Sequence, residues 1–576
     1  MWTTIGRLTS PFFPSTKSQQ FLRLMHLHRD SDKELFSFTS GRWLYNHEKQ
    51  LAVRYIPFNV NALAAVASDV SGGACTSLTK MHEGRFSRVF LLKTDNNREF
   101  IARIPFPVFG PPDLTIASEV ATMDFIRTEA RQVNVPIVLA WSSSNVEGIG
   151  VPYLMYEKVQ GTALSALWDK EDFTDQSLSE IVMQCMKQQA QTSGRVFSQI
   201  GSIFYKDDVS ADLQTRPLYD TSITPATPNS DRFRIGPSLR PEFYRGGRSQ
   251  LDIDRGPWMN MQDYAQALSN CERTWILKAP EGVKEPDELL KTLSDFDTLI
   301  PYLYPDANIG YVLSHPDLHA DNVLVDTSGP RWKVTWLDWQ GASVLPFFDI
   351  LDVPPMFDYS TTSPLVNYDP RKPAEKPVYA EGYHSDSIGV DDKVLAQKAY
   401  MEAYRHWVFL SSHAKFNTSW FKMRSSREMY DISKELLVTM SSGSIEGPEA
   451  ARWSMIKAVW NWDSLPCVPV YDDGKASAPC PVQYSLEEQD IWEKRFAEAL
   501  RVTLLQTTYT RQVGLAENSD GLVIGTEADF KQKKDAAEKL YKELIAFAQS
   551  NEERSWYENN WPFQDGRLSL NALSCI

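Results

Sequence analysis

Polar residues whose types and spacing could do chemistry are concentrated between Tyr311 and Gly341. In HPDLHADN, His315 stands two positions before Asp317, Leu318 follows, and Asn322 lies five residues beyond the aspartate. The order H-x-D-L-x-x-x-N suits transfer of a phosphoryl group to a hydroxyl. That reaction needs one carboxylate beside the accepting hydroxyl, and an amide oxygen held by the same loop against a magnesium ion. Asp317, with His315 beside it, is the expected catalytic part, and Asp317 is the expected base. Sixteen residues after Asn322, the run KVTWL delivers a further carboxylate, Asp338, shortly before Gly341. Magnesium that bridges phosphates takes oxygen ligands in octahedral geometry, so Asn322 and Asp338 form the expected metal pair.

These residues need a frame. Tyr311 to Leu313 and Val323 to Val325 are β-compatible, so the first motif reads as a turn between short strands. Upstream, LTKMHEGRFSRVFLLKT and REFIARIPF read as a hairpin sequence interrupted by Asp95, Asn96 and Asn97. The turn with Gly84, Phe86 and Ser87 is expected to cover the phosphates of ATP, Gly84 allowing close backbone approach. Arg103 stands where a phosphate-binding lysine would, and Glu119, in the helix-like IASEVATMDFIRT, is its expected partner; an ordinary lobe-stabilising salt bridge is the plainer alternative. VNVPIVLAW and VPYLMYEKV are strand-like. Tyr156 and Glu157 open the segment, up to Val159, whose backbone is expected to meet the adenine edge. The sum is a small sheet with one inserted helix over residues 36–160, preceded by a helix-like Val60 to Ala67.

From 161 to 576 the chain reads as a larger, mainly helical lobe holding the catalytic loop at 313–341 and ending in a helical extension. Pro-rich or Arg-rich tracts at about 205–260, 353–383 and 465–481 read as loops or insertions. Ser485 and Glu488 form a capping box opening a helix with Trp492, Phe496 and Leu500 on one face, and a second helix begins near Thr526. His319 lacks a second His or Cys at ligand spacing and reads as structural. Asp349 reads either as an anchor for the catalytic loop or as a helix cap.

Composition narrows the rest. The formal net charge of -15 opposes general nucleic-acid binding. The six cysteines are spread without metal-ligand pairing, and no apolar run reaches the length of a membrane span. The first 29 residues nevertheless hold Arg7, Lys17, Arg23 and Arg29 and no acidic residue. That asymmetry suits a mitochondrial presequence over residues 1–35, with the matrix as destination, or a disordered tail.

HPDLHADN with LDWQGA resembles the aminoglycoside phosphotransferase and choline-kinase-like superfamily. EGRFSRVFLL, FIARIPFP, TIASEVATMDFIR, YEKVQG and LDIDRGPW further resemble the fungal family of altered inheritance of mitochondria protein 9. The resemblance implies an α+β, bilobal protein-kinase-like fold, a mitochondrial location and a phosphotransferase domain, without fixing its acceptor; a hydroxyl of an unidentified small molecule is the leading expectation. Trp339 and Gln340 replace the Phe-Gly of protein kinases, and no glycine triplet surrounds Gly84. A scaffold that binds nucleotide without turnover is the competing reading; a protein kinase is disfavoured because no A-P-E element follows Asp338.

Overall fold

The computed structural model describes residues 32–81, 83–144, 148–168, 173–306, 309–372, 374–385, 387–425, 428–515 and 519–565. The basic N-terminal segment expected as a presequence lies almost wholly outside them. Alternating and β-branched residues after Gly73 form a five-stranded antiparallel sheet in the order Cys75–Lys80, Ser87–Thr94, Glu99–Pro105, Tyr153–Glu157, Val138–Ser142. The strand pair between Ser87–Thr94 and Glu99–Pro105 sets Val89 opposite Arg103, and the next pair sets Arg103 opposite Leu154. The helix Val60–Ser71, capped by Asn59, closes one face through Leu63 and Ala67 against Phe90 and Leu92.

The inserted helix Pro112–Glu129 starts on Pro112, whose missing N–H costs nothing in a first turn. It is buried almost all round, which identifies it as an internal strut rather than a surface helix. Its outer partners come from the 205–260 tract: Tyr205 donates to Asp124 at 2.8 Å, Arg232 pairs with Asp124, and Thr227 and Tyr219 donate to Glu129 at 2.8 and 3.3 Å. That tract is no loose excursion. It contains the strand Phe233–Gly236, paired with Ser202–Tyr205, and buries Phe243 and Trp258 in the main core.

The larger lobe packs the helices Asp175–Ser193, Met261–Lys278, Pro286–Leu303, Glu428–Glu446 and Pro448–Trp460 around two small ladders. One pairs Tyr311–Ser314 with Ser343–Pro346; the other joins Lys333–Trp336, Val323–Asp326 and Thr162–Ala163. A small β-rich lobe with one strut helix above a helical lobe is the bilobal kinase-like α+β architecture. The capping boxes at Ser485 and Thr526 are both formed. On the first of these helices Trp492 is buried and Phe496 stacks on Trp453 at 5.9 Å, but Leu500 is exposed, so the expected apolar face ends a turn early.

Segments outside the two lobes meet across the top of the sheet. Gly41–Trp43 pairs antiparallel with Leu522–Ile524, and Trp43 Nε1 donates to Asp520 at 3.1 Å. Beneath them, Glu83 is a fully buried carboxylate: it accepts from Arg88 at 2.6 Å and from the Thr39 amide at 2.6 Å, and its own amide donates to Ser40 Oγ at 2.7 Å. Removing one member of a buried pair strands the other, so Glu83→Ala should destabilise the chain by about 3–5 kcal/mol in urea unfolding. A loss below ~1 kcal/mol would contradict this assignment of Glu83 as the post on which the following turn stands.

Candidate functional site

The catalytic-loop motif occupies the connection between Tyr311–Ser314 and Val323–Asp326. Two hydrogen bonds set its register against the second carboxylate: His315 Nε2 to the Leu337 carbonyl at 2.8 Å, and the Leu337 amide to the Asn322 carbonyl at 2.8 Å. His315 Nδ1 accepts from the Asp317 amide at 3.2 Å. Both ring nitrogens are therefore engaged with backbone, and burial lowers the histidine's pKa, which favours the neutral Nε2–H form. This corrects the expectation that His315 is catalytic: it positions Asp317 and cannot shuttle a proton without leaving its partners. Trp339, in the place of the kinase phenylalanine, is fully buried against the His315 ring at 4.6 Å.

Asp317 itself is exposed. His319 Nε2 lies 3.4 Å from its carboxylate and 3.2 Å from Asn322 Nδ2, while His319 Nδ1 accepts from the Asp321 amide at 3.2 Å. The His319 contact is the main cause of the lowered Asp317 pKa, and the Asp317 carboxylate in turn raises that of His319. His319 was expected to be merely structural because only metal ligation was asked of it; here it is the group that orients Asp317. Asn322 Nδ2 also donates to the Asp317 carbonyl at 2.9 Å, which leaves Oδ1 as the atom free to face a ligand.

Asp338 follows the strand Lys333–Trp336 in the left-handed region, φ 56°, a conformation an aspartate tolerates and most residues avoid. Gly341 completes the turn at φ 79°, and a Cβ there would stand 2.2 Å from the Phe109 ring. Arg103 reaches across from the small lobe: Nη1 donates to Asp338 Oδ1 at 2.5 Å, and Nη2 pairs with Glu119. The expected Arg103–Glu119 pair is thus a triad with Asp338. Arg103 Nε is buried without a hydrogen-bond partner. Glu119 is buried and its pKa rises to about 7, chiefly through loss of water and then through Asp338, with Arg103 opposing. Arg103, between two carboxylates, is held more firmly in its charged form. The Tyr156 phenol is close enough to feel all three charges, though burial is the main cause of its rise to about 12.

The remaining expected ligand contacts divide. Gly84 is exposed, and a Cβ on it would meet nothing nearer than the Ser87 carbonyl at 3.9 Å, so the turn has open space above it. Phe86 packs edge-on against Phe109 at 5.5 Å, linking the turn to the Gly341 bend. Ser87 is buried, and its carbonyl closes the turn by accepting from the Gly84 amide at 3.2 Å. Glu157 accepts from the Ile137 amide at 3.1 Å and donates its own amide to the Ile137 carbonyl at 3.0 Å. It is a strand clasp, not a ligand group. Asp349 lies in the short helix Phe347–Ile350 under the influence of Arg240, and burial raises its pKa; it neither caps a helix nor accepts from the catalytic loop among the described hydrogen bonds.

The fold is that of a bilobal kinase-like protein. Residues 77–353 match the model of the phosphotransferase enzyme family. A subtelomeric hrmA-associated cluster protein of Aspergillus fumigatus is 26% identical over 538 residues, 85% of this chain and 97% of that relative. The mitochondrial altered inheritance of mitochondria protein 9 of Candida dubliniensis is 24% identical over 409 residues, 60% of this chain and 64% of that relative. Among solved structures, a putative aminoglycoside phosphotransferase of Ralstonia eutropha shares 14% identity over 70% of this chain and 98% of its own, with a TM-score of 0.29.

A carboxyl group whose pKa is raised by folding stabilises the fold fully below its ordinary value and loses that contribution as pH climbs through the raised one. Glu119→Gln removes this titration. Wild type should therefore lose stability relative to Glu119→Gln between about pH 4.5 and pH 7, by on the order of 3 kcal/mol at 1.36 kcal/mol per pKa unit. Parallel stability curves for the two proteins would overturn the assignment.

Proposed function

We propose that this chain transfers the γ-phosphoryl group of ATP to a hydroxyl of a small molecule, and that it does so in mitochondria. The observation that carries the reading is the shared register of HPDLHADN and Asp338, fixed by the two hydrogen bonds through Leu337 and joined to the small lobe by Arg103. The mitochondrial part rests on the printed name of the Candida relative and on the basic N-terminal composition.

Asn322 Oδ1 and Asp338 are the residues that would hold magnesium, and their oxygen chemistry fits it. Among the described residues no group of three or more His, Cys, Asp or Glu is gathered to hold a metal. When bound, the ion neutralises charge on the nucleotide phosphates. Asp317, oriented by His319, accepts the proton of the acceptor hydroxyl as that oxygen bonds to the γ-phosphorus and ADP departs. Arg103, whose terminal nitrogens face Glu119 and Asp338, contributes its positive charge on the small-lobe side of the site. Asp317 is exposed and open to a soluble acceptor, and among the described residues no helix is long and apolar enough to cross a membrane.

One observation favours a nucleotide-binding scaffold without turnover: Arg103 already occupies Oδ1 of Asp338. Thermal unfolding with and without magnesium and ATP separates binding from its absence, because a ligand of the native state stabilises it by mass action. Wild type and Asp317→Ala should rise by several degrees, and Asp338→Ala should rise far less. Equal shifts in all three proteins, or none at millimolar nucleotide, would contradict the proposed site.

A further inference from the structure

The helix Leu486–Gln512 lies beyond the phosphotransferase-family match, which ends at 353, and its 27 residues span about 40 Å at 1.5 Å per residue. Its buried positions fall near its two ends, Trp492 at one and Tyr509 and Thr510 at the other. Between them Ala497, Glu498, Leu500, Arg501, Thr503 and Leu504 are exposed. A helix held at both ends with solvent around its middle is a bridge between two bodies, not part of one core.

The first end is rooted in the larger lobe. Trp492 is buried in the main core, with the guanidinium groups of Arg495 and Arg452 at 4.2 and 5.7 Å from its ring. Arg495 donates to Glu285 at 3.0 and 2.6 Å and to Glu449 at 2.8 Å. The far end is rooted in the small lobe through a clasp. Tyr509 and Val513 share a small core with Val523, Ala537 and Trp561, and Leu44 packs against it. Leu44 follows Gly41–Trp43, the strand paired with Leu522–Ile524. Trp43 is buried with Phe38, Phe106 and Val108, and Phe106 directly follows Glu99–Pro105, the strand that carries Arg103. The clasp is tight: a Cβ on Gly41 would stand 2.4 Å from the Val523 carbonyl oxygen, and one on Gly521 2.5 Å from the Tyr45 ring. The exposed span is stiffened from one side by the helix Asn551–Asn560, where Trp556 Nε1 donates to Glu498 at 2.9 Å, Arg501 lies over the Trp556 ring at 5.0 Å, and the Asn560 carbonyl accepts from Gln506 at 3.1 Å.

We propose that Leu486–Gln512 is an external brace that fixes the separation of the two lobes. The chain also passes from one lobe to the other between Tyr153–Glu157 and Thr162–Ala163, and a single short connection of that kind lets two bodies rotate about it. A second connection, helical and rooted in both bodies, removes that freedom, because rotation must then bend the helix or pull the clasp apart. The Arg103–Asp338 contact across the lobes is thereby kept within reach. The brace needs no ligand and does not depend on the nucleotide-site reading.

Pulsed electron resonance on the full, unliganded chain tests this, with spin labels carried by non-natural residues at Thr76, on a small-lobe strand, and Leu277, on a larger-lobe helix, both exposed. The unfolding temperature of each variant checks its folding. Wild type should give one narrow distance. Ala499→Pro interrupts the helix in its exposed span, since proline removes a backbone donor and clashes with the preceding turn. Gly41→Val opens the clasp while leaving the helix whole. Each should broaden the distribution and move its mean, and Leu500→Ala, in the same span without a helix break, should reproduce wild type. A distribution as narrow as wild type's in either folded variant, a broad one in wild type, or equal broadening in Leu500→Ala overturns the brace.

Discussion

Arg103 between Glu119 and Asp338 is the interaction on which the arrangement of the two lobes depends. One guanidinium, buried at the end of a central strand, joins a carboxylate of the strut helix to a carboxylate of the opposite lobe. Three charges with a net negative sum cannot sit in a low-dielectric site without adjustment, and the adjustment falls on Glu119, the more buried acid. An arginine suits this place better than a lysine because its planar fork can satisfy two carboxylates at once. Charge at Asp338 is thereby felt at Glu119 of the strut helix, whose Asp124 and Glu129 separately bind the 205–260 tract.

The phosphotransferase core is framed by segments that lie outside it. Thr39, Ser40 and Arg54 build the floor of the turn at 83–87, while Asp520 and the strand Leu522–Ile524 close its side. A glycine-rich loop owes its adaptability to missing side chains; this turn carries one exposed glycine and is held instead by buried ion pairs, Glu83 with Arg88 foremost. Arg85 within it is likewise held by Arg54 and Asp520.

Much of this was legible in the chain. HPDLHADN and Asp338 announce themselves because a loop between strands must offer its polar groups in a fixed order, and Arg103 and Glu119 because, ahead of that loop, they stand where a phosphate-binding lysine and its helix partner would. Less legible were roles that depend on direction rather than type. His315 and His319 look alike in the motif, yet one is locked to backbone at both nitrogens and the other lies against the carboxylate of Asp317. Ser87 is turned into the sheet, and half-exposed Glu157 spends its carboxylate on the Ile137 amide. Asp520 gave no local signal: its meaning comes from a pairing across 435 positions, which spacing within a motif cannot reveal. The arginine-rich tract at 205–260 read as a loop because its turns hide short strands and buried aromatics that only tertiary packing defines.

The account stands or falls on whether a phosphoryl group is transferred. Incubating the chain with ATP, magnesium and a fractionated pool of mitochondrial small molecules, then following products by phosphorus NMR, tests this directly. A new phosphomonoester signal that requires Asp317, is absent with Asp317→Asn, and rises in step with ADP is the predicted result. ATP that remains intact with every fraction, while magnesium-dependent nucleotide binding persists, would contradict the transfer reaction and leave a nucleotide-binding scaffold in its place.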